Sequence, residues 1–92
     1  MILSFKHKGL ERFYTTGSKA GIQPEHARKL GMILVFLNRA KVPSDLALSG
    51  WALHPLKGEM DGRWSVKVNG NWRVTFQFVG SDAEVVDYQD YH

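Results

Sequence analysis

No cysteine occurs among the 92 residues, which removes disulfide staples and thiolate metal ligands and fits a reducing compartment. No apolar run approaches the roughly 18 residues that a membrane span needs. Met1-Ile2-Leu3 precedes Lys6, His7 and Lys8, the wrong order for a secretory leader. A cytoplasmic protein is therefore expected, with no membrane partner. Basic residues are missing from one stretch: residues 74–92 hold four acids and no Lys or Arg. Residues 1–73 hold all twelve bases against five acids. Such a basic body suits a polyanion, with affinity falling as salt rises, although the same charge also serves solubility. The length allows a single domain over 1–92 with one core, and three Trp and five Phe supply apolar bulk for it.

Met1-Ile2-Leu3-Ser4-Phe5 reads as a short strand. A helix is expected from about His7 to Thr15, with Leu10, Phe13 and Tyr14 on one face and Gly17 as its stop. A second helix starts at Pro24, a residue suited to a first helical position, and runs to about Ala40. Ala27, Leu30, Leu34 and Leu37 recur there at 3–4 spacing, and Ile33 and Phe36 widen the stripe, which reads as core. Val42-Pro43-Ser44-Asp45-Leu46 is a connector that has room for one helical turn capped by Ser44.

From Trp51 the period becomes two. Trp64, Val66 and Val68 alternate with polar residues, as do Trp72, Val74, Phe76 and Phe78, so both runs read as half-buried antiparallel strands. A three-residue connection or a bulge near Gly70 pairs Trp64 with Phe76, Val66 with Val74 and Val68 with Trp72. Lys67 then faces Arg73, and Ser65 faces Thr75, on an open face. Two opposed cations are unfavourable unless an anion sits between them. Glu84–Tyr88 is expected as the last strand. Whether Asp90 and His92 share the face of Arg73 depends on the turn before it.

The candidates for chemistry are His54, Arg73, Asp90, Tyr91 and His92. Cleaving RNA without metal takes a base for the 2′-hydroxyl proton, an acid for the leaving 5′-oxygen and a cation for charge on phosphorus. Histidine suits the first two tasks, and arginine, with its planar fork, suits the third. Each residue also has a plainer reading: His54 as a strand-end ring, Arg73 as a solvated strand residue, and Asp90-Tyr91-His92 as an unpaired tail. Lys57 can be a surface lysine or a phosphate contact, and Asn71 is explained by turn chemistry. His7 and His26 receive no role. No histidine shows metal-ligand spacing, so neither metal nor cofactor is expected.

The segments His54-Pro55-Leu56-Lys57-Gly58, Trp64-Ser65-Val66-Lys67-Val68, Asn71-Trp72-Arg73-Val74-Thr75-Phe76-Gln77-Phe78 and Asp90-Tyr91-His92 resemble those of the HigB toxins of the RelE/ParE superfamily. The resemblance covers the whole chain. It implies an α+β fold, two N-terminal helices packed on a small antiparallel sheet of the RelE-like microbial RNase type. It also implies a type II toxin that cuts messenger RNA in the ribosomal A site. A HigA-type helix-turn-helix antitoxin would hold it inactive, so antitoxin, ribosome and messenger RNA are its expected partners. The catalytic positions of such toxins fall on His54, Asp90, Tyr91 and His92, with Arg73 on the phosphate and Lys57 and Asn71 approaching RNA. Either Asp90 or His54 is the base, and His92 is the acid. The competing readings are a non-catalytic, ParE-like inhibitor of DNA gyrase and a plain basic RNA-binding module.

Overall fold

Helix α1 (Lys8–Thr16) begins where the His7 ring takes over a capping role. Its Nδ1 accepts the Leu10 backbone N–H at 2.9 Å, satisfying a donor that the first turn leaves without a carbonyl. The helix ends at Gly17, which adopts the left-handed conformation (φ 82°) expected of it and returns its N–H to Phe13. The segment from Pro24 forms a 3-10 turn, Pro24–His26, before helix α2 (Ala27–Arg39). Leu30, Ile33, Leu34 and Leu37 of α2 are buried, whereas Phe36 remains partly exposed, with its ring edge against Trp51. The connector holds a 3-10 turn, Pro43–Leu46. Its cap is not Ser44: the Asp45 carboxylate accepts the N–H groups of Lys41 and Val42.

The chain is described here by a computed structural model over residues 1–91. Four strands follow the helices: β1 (His54–Pro55), β2 (Trp64–Asn69), β3 (Trp72–Val79) and β4 (Asp82–Asp90). They form an antiparallel meander in the order β1-β2-β3-β4. The opening residues are not a full strand. Ile2 and Phe5 make single parallel bridges to Ala83 and Val86, so β4 lies between β3 and this segment. Leu10, the four α2 residues and Val66, Val74, Phe76, Ala83, Val86 and Tyr88 form one core. Burying a side chain such as Phe76, which is fully enclosed, contributes about 2–3 kcal/mol. The result is the expected α+β arrangement.

The register of β2 and β3 follows the burial of large residues: Trp64 opposes Phe76, Ser65 opposes Thr75, Val66 opposes Val74 and Lys67 opposes Arg73. The irregularity is not at Gly70. The ladder slips between Lys67 and Asn69, so that Asn69, not Val68, pairs with Trp72. A second slip falls in β4. Glu84 opposes Gln77 while Asp87 opposes Thr75, which leaves one extra residue in β4. Val85 takes up this bulge with φ 47°, a conformation that β-branched residues avoid. Its N–H is satisfied outside the ladder by the Ser4 hydroxyl at 2.9 Å.

Candidate active site

Alternation along β3 sends Val74 and Phe76 toward the helices and Arg73 and Thr75 to the opposite face. The register carries that second face across all four strands. His54, Ser65, Thr75 and Asp87 form one row, and Lys67, Arg73 and Gln89 form the next. With strands about 4.8 Å apart and a rise of about 3.3 Å per residue, the Cα atoms of His54 and Arg73 stand roughly 12 Å apart. Two long side chains at that separation can reach one phosphodiester between them.

Each candidate has a definite setting. The exposed ring of His54 places Nδ1 at 3.4 Å from the Ala52 carbonyl and 3.3 Å from the Ser65 hydroxyl. Arg73 is half-buried, and its Nη1 donates to the carbonyls of Gly70 (2.9 Å) and Trp72 (3.1 Å). Those bonds hold the guanidinium at the β2–β3 turn and leave Nε and Nη2 without a partner among the described residues. Asn71 occupies that turn, and its carbonyl accepts the Tyr91 N–H at 2.9 Å. Beyond β4 the chain therefore stays docked to the sheet as far as Tyr91. Tyr91 continues the Gln89 side of the strand, and its hydroxyl points to the Met60 sulfur at 3.9 Å. Lys57 is exposed in extended backbone, one residue before a 3-10 turn at Gly58–Met60.

Asp90 is different. It pairs with Trp72, so it falls on the side of the sheet that carries Trp72 and Tyr88, the helix side, at the end of the strand. For Asp90, this answers a question that the sequence left open. His92 lies outside the described residues. Among those described, no cluster of His, Asp and Glu is placed to hold a metal ion, and no helix is long and apolar enough to cross a membrane.

The face is also less open than alternation suggests. Ser65 and Thr75 are fully buried, and Asp87 nearly so. Gln89 Nε2 donates to Asp87 Oδ2 at 2.8 Å and to Thr75 Oγ1 at 3.3 Å, and Asp87 Oδ1 accepts the Tyr88 N–H at 2.9 Å. Small hydroxyl residues on the polar side of a strand look like solvated surface in a sequence, which hides this layer. The signal for it in the sequence is the alternation that sets Ser65 opposite Thr75; the pairing of Ser65 with His54 appears only in the folded sheet.

On the helix side, His26 is buried after all. Its Nδ1 meets the Tyr88 hydroxyl at 2.6 Å, and Tyr88 stacks on Trp72 with ring centroids 4.6 Å apart. This contact ties the start of α2 to the end of β4. Burial raises the Tyr88 pKa above its ordinary value of 10.0; the Gln23 N–H works against that rise, and Glu25 and Asp90 add to it. Above pH about 10 the unfolded chain loses a proton that the folded chain keeps, so stability falls as pH rises through that window. Tyr88→Phe is expected to abolish this alkaline decline while costing about 1 kcal/mol at neutral pH for the lost hydrogen bond. Urea titrations between neutral and alkaline pH check it, and equal slopes in the two chains would contradict the assignment.

Two helices pack on a four-stranded antiparallel meander, and an imidazole, a guanidinium and a phenol stand on the far face of the sheet. A family model described as the RelE-like toxin of the type II toxin–antitoxin system HigB matches residues 3–92. Endoribonuclease HigB of Proteus vulgaris is 40% identical over 92 residues, which is 100% of both chains. Toxin HigB-1 of Vibrio cholerae serotype O1 is 34% identical over 85 residues, 90% of each chain. The chain belongs to the HigB family of type II toxins. A toxin of such a system works opposite an antitoxin, so an antitoxin is its partner.

Proposed function

We propose that the chain is an endoribonuclease that cuts messenger RNA in the ribosomal A site and so stops translation. The observation that carries this reading is the shared face: His54 and Arg73 lie on one side of the sheet, and Tyr91, tied to the Asn71 carbonyl, continues the Gln89 side of β4. The name of the Proteus vulgaris relative, an endoribonuclease, supports it. His54 takes the proton of the 2′-hydroxyl, whose oxygen attacks phosphorus. Arg73 binds the non-bridging oxygens as charge builds on them. Tyr91 holds the nucleotide by stacking or through its hydroxyl. His92 is assigned the acid for the 5′-oxygen on its chemistry alone. Asp90, in the row of Trp72, is assigned an orienting role for the end of the chain rather than that of the base. Lys57 and Asn71 contact the RNA backbone beside Arg73.

The opposed cations Lys67 and Arg73 suit a phosphate between them. Few groups act directly on the bond, so much of the rate must come from positioning, which the ribosome supplies by bending the message into line. The antitoxin would be of the HigA helix-turn-helix type, and the site of action the cytoplasm. Induced in cells, the toxin should stop growth. Mapping of message 5′ ends should find cuts inside reading frames with purified ribosomes present and few or none on naked RNA. Rapid degradation of naked RNA would overturn the ribosome requirement. Inhibition of gyrase supercoiling without message cleavage would favour the ParE-like alternative instead.

A further inference from the structure

From the buried hydroxyl beside His54, we infer that Ser65 and the backbone of Ala52 together are positioning groups. They hold the His54 proton on Nδ1 so that Nε2 is the nitrogen that works. The inference rests on His54 being the proton carrier proposed above. Three observations support it. Ser65 stands directly across from His54 in the β1–β2 pairing. It is fully enclosed, where a hydroxyl is costly unless it has a partner, and its Oγ lies 3.3 Å from Nδ1. Ala52 adopts a left-handed backbone (φ 50°) that L-residues avoid, and its carbonyl lies 3.4 Å from the same nitrogen.

The Ser65 hydroxyl could donate to a bare Nδ1 or accept from a protonated one, and the Ala52 carbonyl tips the choice. A carbonyl can only accept, so the Ala52 oxygen is a partner for Nδ1 only when that nitrogen carries hydrogen. The Ser65 hydroxyl can accept from the same N–H. With Nδ1 protonated, the neutral ring keeps its lone pair on Nε2. Taking the 2′-hydroxyl proton there gives the imidazolium, and both Nδ1 contacts persist unchanged. Nε2 later returns that proton to solvent. The ring never has to turn over during the cycle, and the surrounding fold keeps Ala52 in the left-handed conformation that aims its carbonyl at Nδ1.

The test uses the full-length chain with 15N-labelled histidine and ribosomes carrying a labelled message. Side-chain 15N shifts at neutral pH should show wild-type His54 protonated at Nδ1, with a bare Nε2. Ser65→Ala should slow single-turnover cleavage about tenfold, the factor equivalent to one ordinary hydrogen bond, and raise the share of the Nε2–H form. Ser65→Thr, which restores the hydroxyl, should recover most of the rate and the wild-type shifts. Wild-type His54 protonated at Nε2, or a folded Ser65→Ala chain with unchanged rate and shifts, would overturn the inference. If wild type fails to cut any message, the proposed function fails, while the shifts still decide the tautomer.

Discussion

Arg73→Ala is expected to lower message cleavage on ribosomes about a thousandfold while the chain remains folded. Removing a single preorganised donor to developing negative charge typically costs 10²–10³ in rate, roughly 3–4 kcal/mol, and Arg73 offers a full charge and a fork of donors. Its structural bonds are few. Nη1 reaches two carbonyls at the β2–β3 turn, and losing partly exposed bonds of that kind costs about 1 kcal/mol. The effect on rate therefore exceeds the effect on stability. Arg73→Lys separates charge from geometry. It keeps the cation but loses bidentate contact, so an intermediate loss of about tenfold to a hundredfold is expected. Single-turnover cleavage with a thermal melt on each variant distinguishes these outcomes. A folded Arg73→Ala chain within tenfold of wild type would remove the guanidinium from the mechanism.

Gly9→Ala is expected to destabilise the fold by about 2–3 kcal/mol, although the same change in an open helix would stabilise it by about 1 kcal/mol. The second residue of α1 packs against the backbone of Gly21. A Cβ added at Gly9 would run into the Gly21 carbonyl oxygen and stand 2.8 Å from its carbon. The reverse substitution meets the same obstacle, since a Cβ on Gly21 would lie 2.5 Å from the Gly9 Cα. Neither obstacle is a side chain that can swing aside, so the helix or the turn must move, and overpacking wins over helix propensity. For a domain of this size the melting temperature should fall by roughly 10–20 °C. A melt within 2 °C of wild type would show that the two segments separate at little cost. Because Gly9 lies away from the proposed RNA face, the folded fraction should still cut messages at low temperature.

Much of the architecture was legible because large apolar residues have few places to go. Leu30, Leu34 and Leu37 marked α2. Trp64, Val66, Val74 and Phe76 fixed the β2–β3 register, including the apposition of Lys67 and Arg73 that brings two cations together on the face away from the helices. Details set by one residue were not legible. The slip at Val68 depends on how the chain leaves the Gly70-Asn71 turn. The contact between His26 and Tyr88 joins residues 62 apart in sequence, which local pattern cannot show. Of the candidate site, His54, Arg73 and Tyr91 emerged on one face, but Asp90 belongs to the row of Trp72. Ser65 escaped notice because its importance comes only from what lies across the ladder from it.

The extra residue at Val85 explains the position of Asp90. A ribbon alternating strictly from Glu84 onward would turn Asp90 toward the guanidinium and Tyr91 away from it; the inserted residue inverts that order. Which side chain shares the face of Arg73 is thus set by a phase correction several residues upstream, held by the Ser4 hydroxyl on the Val85 amide. Excising Val85 would leave the later pairings intact, whereas sliding the ribbon by one position would exchange a phenol for a carboxylate on the guanidinium's side of the sheet.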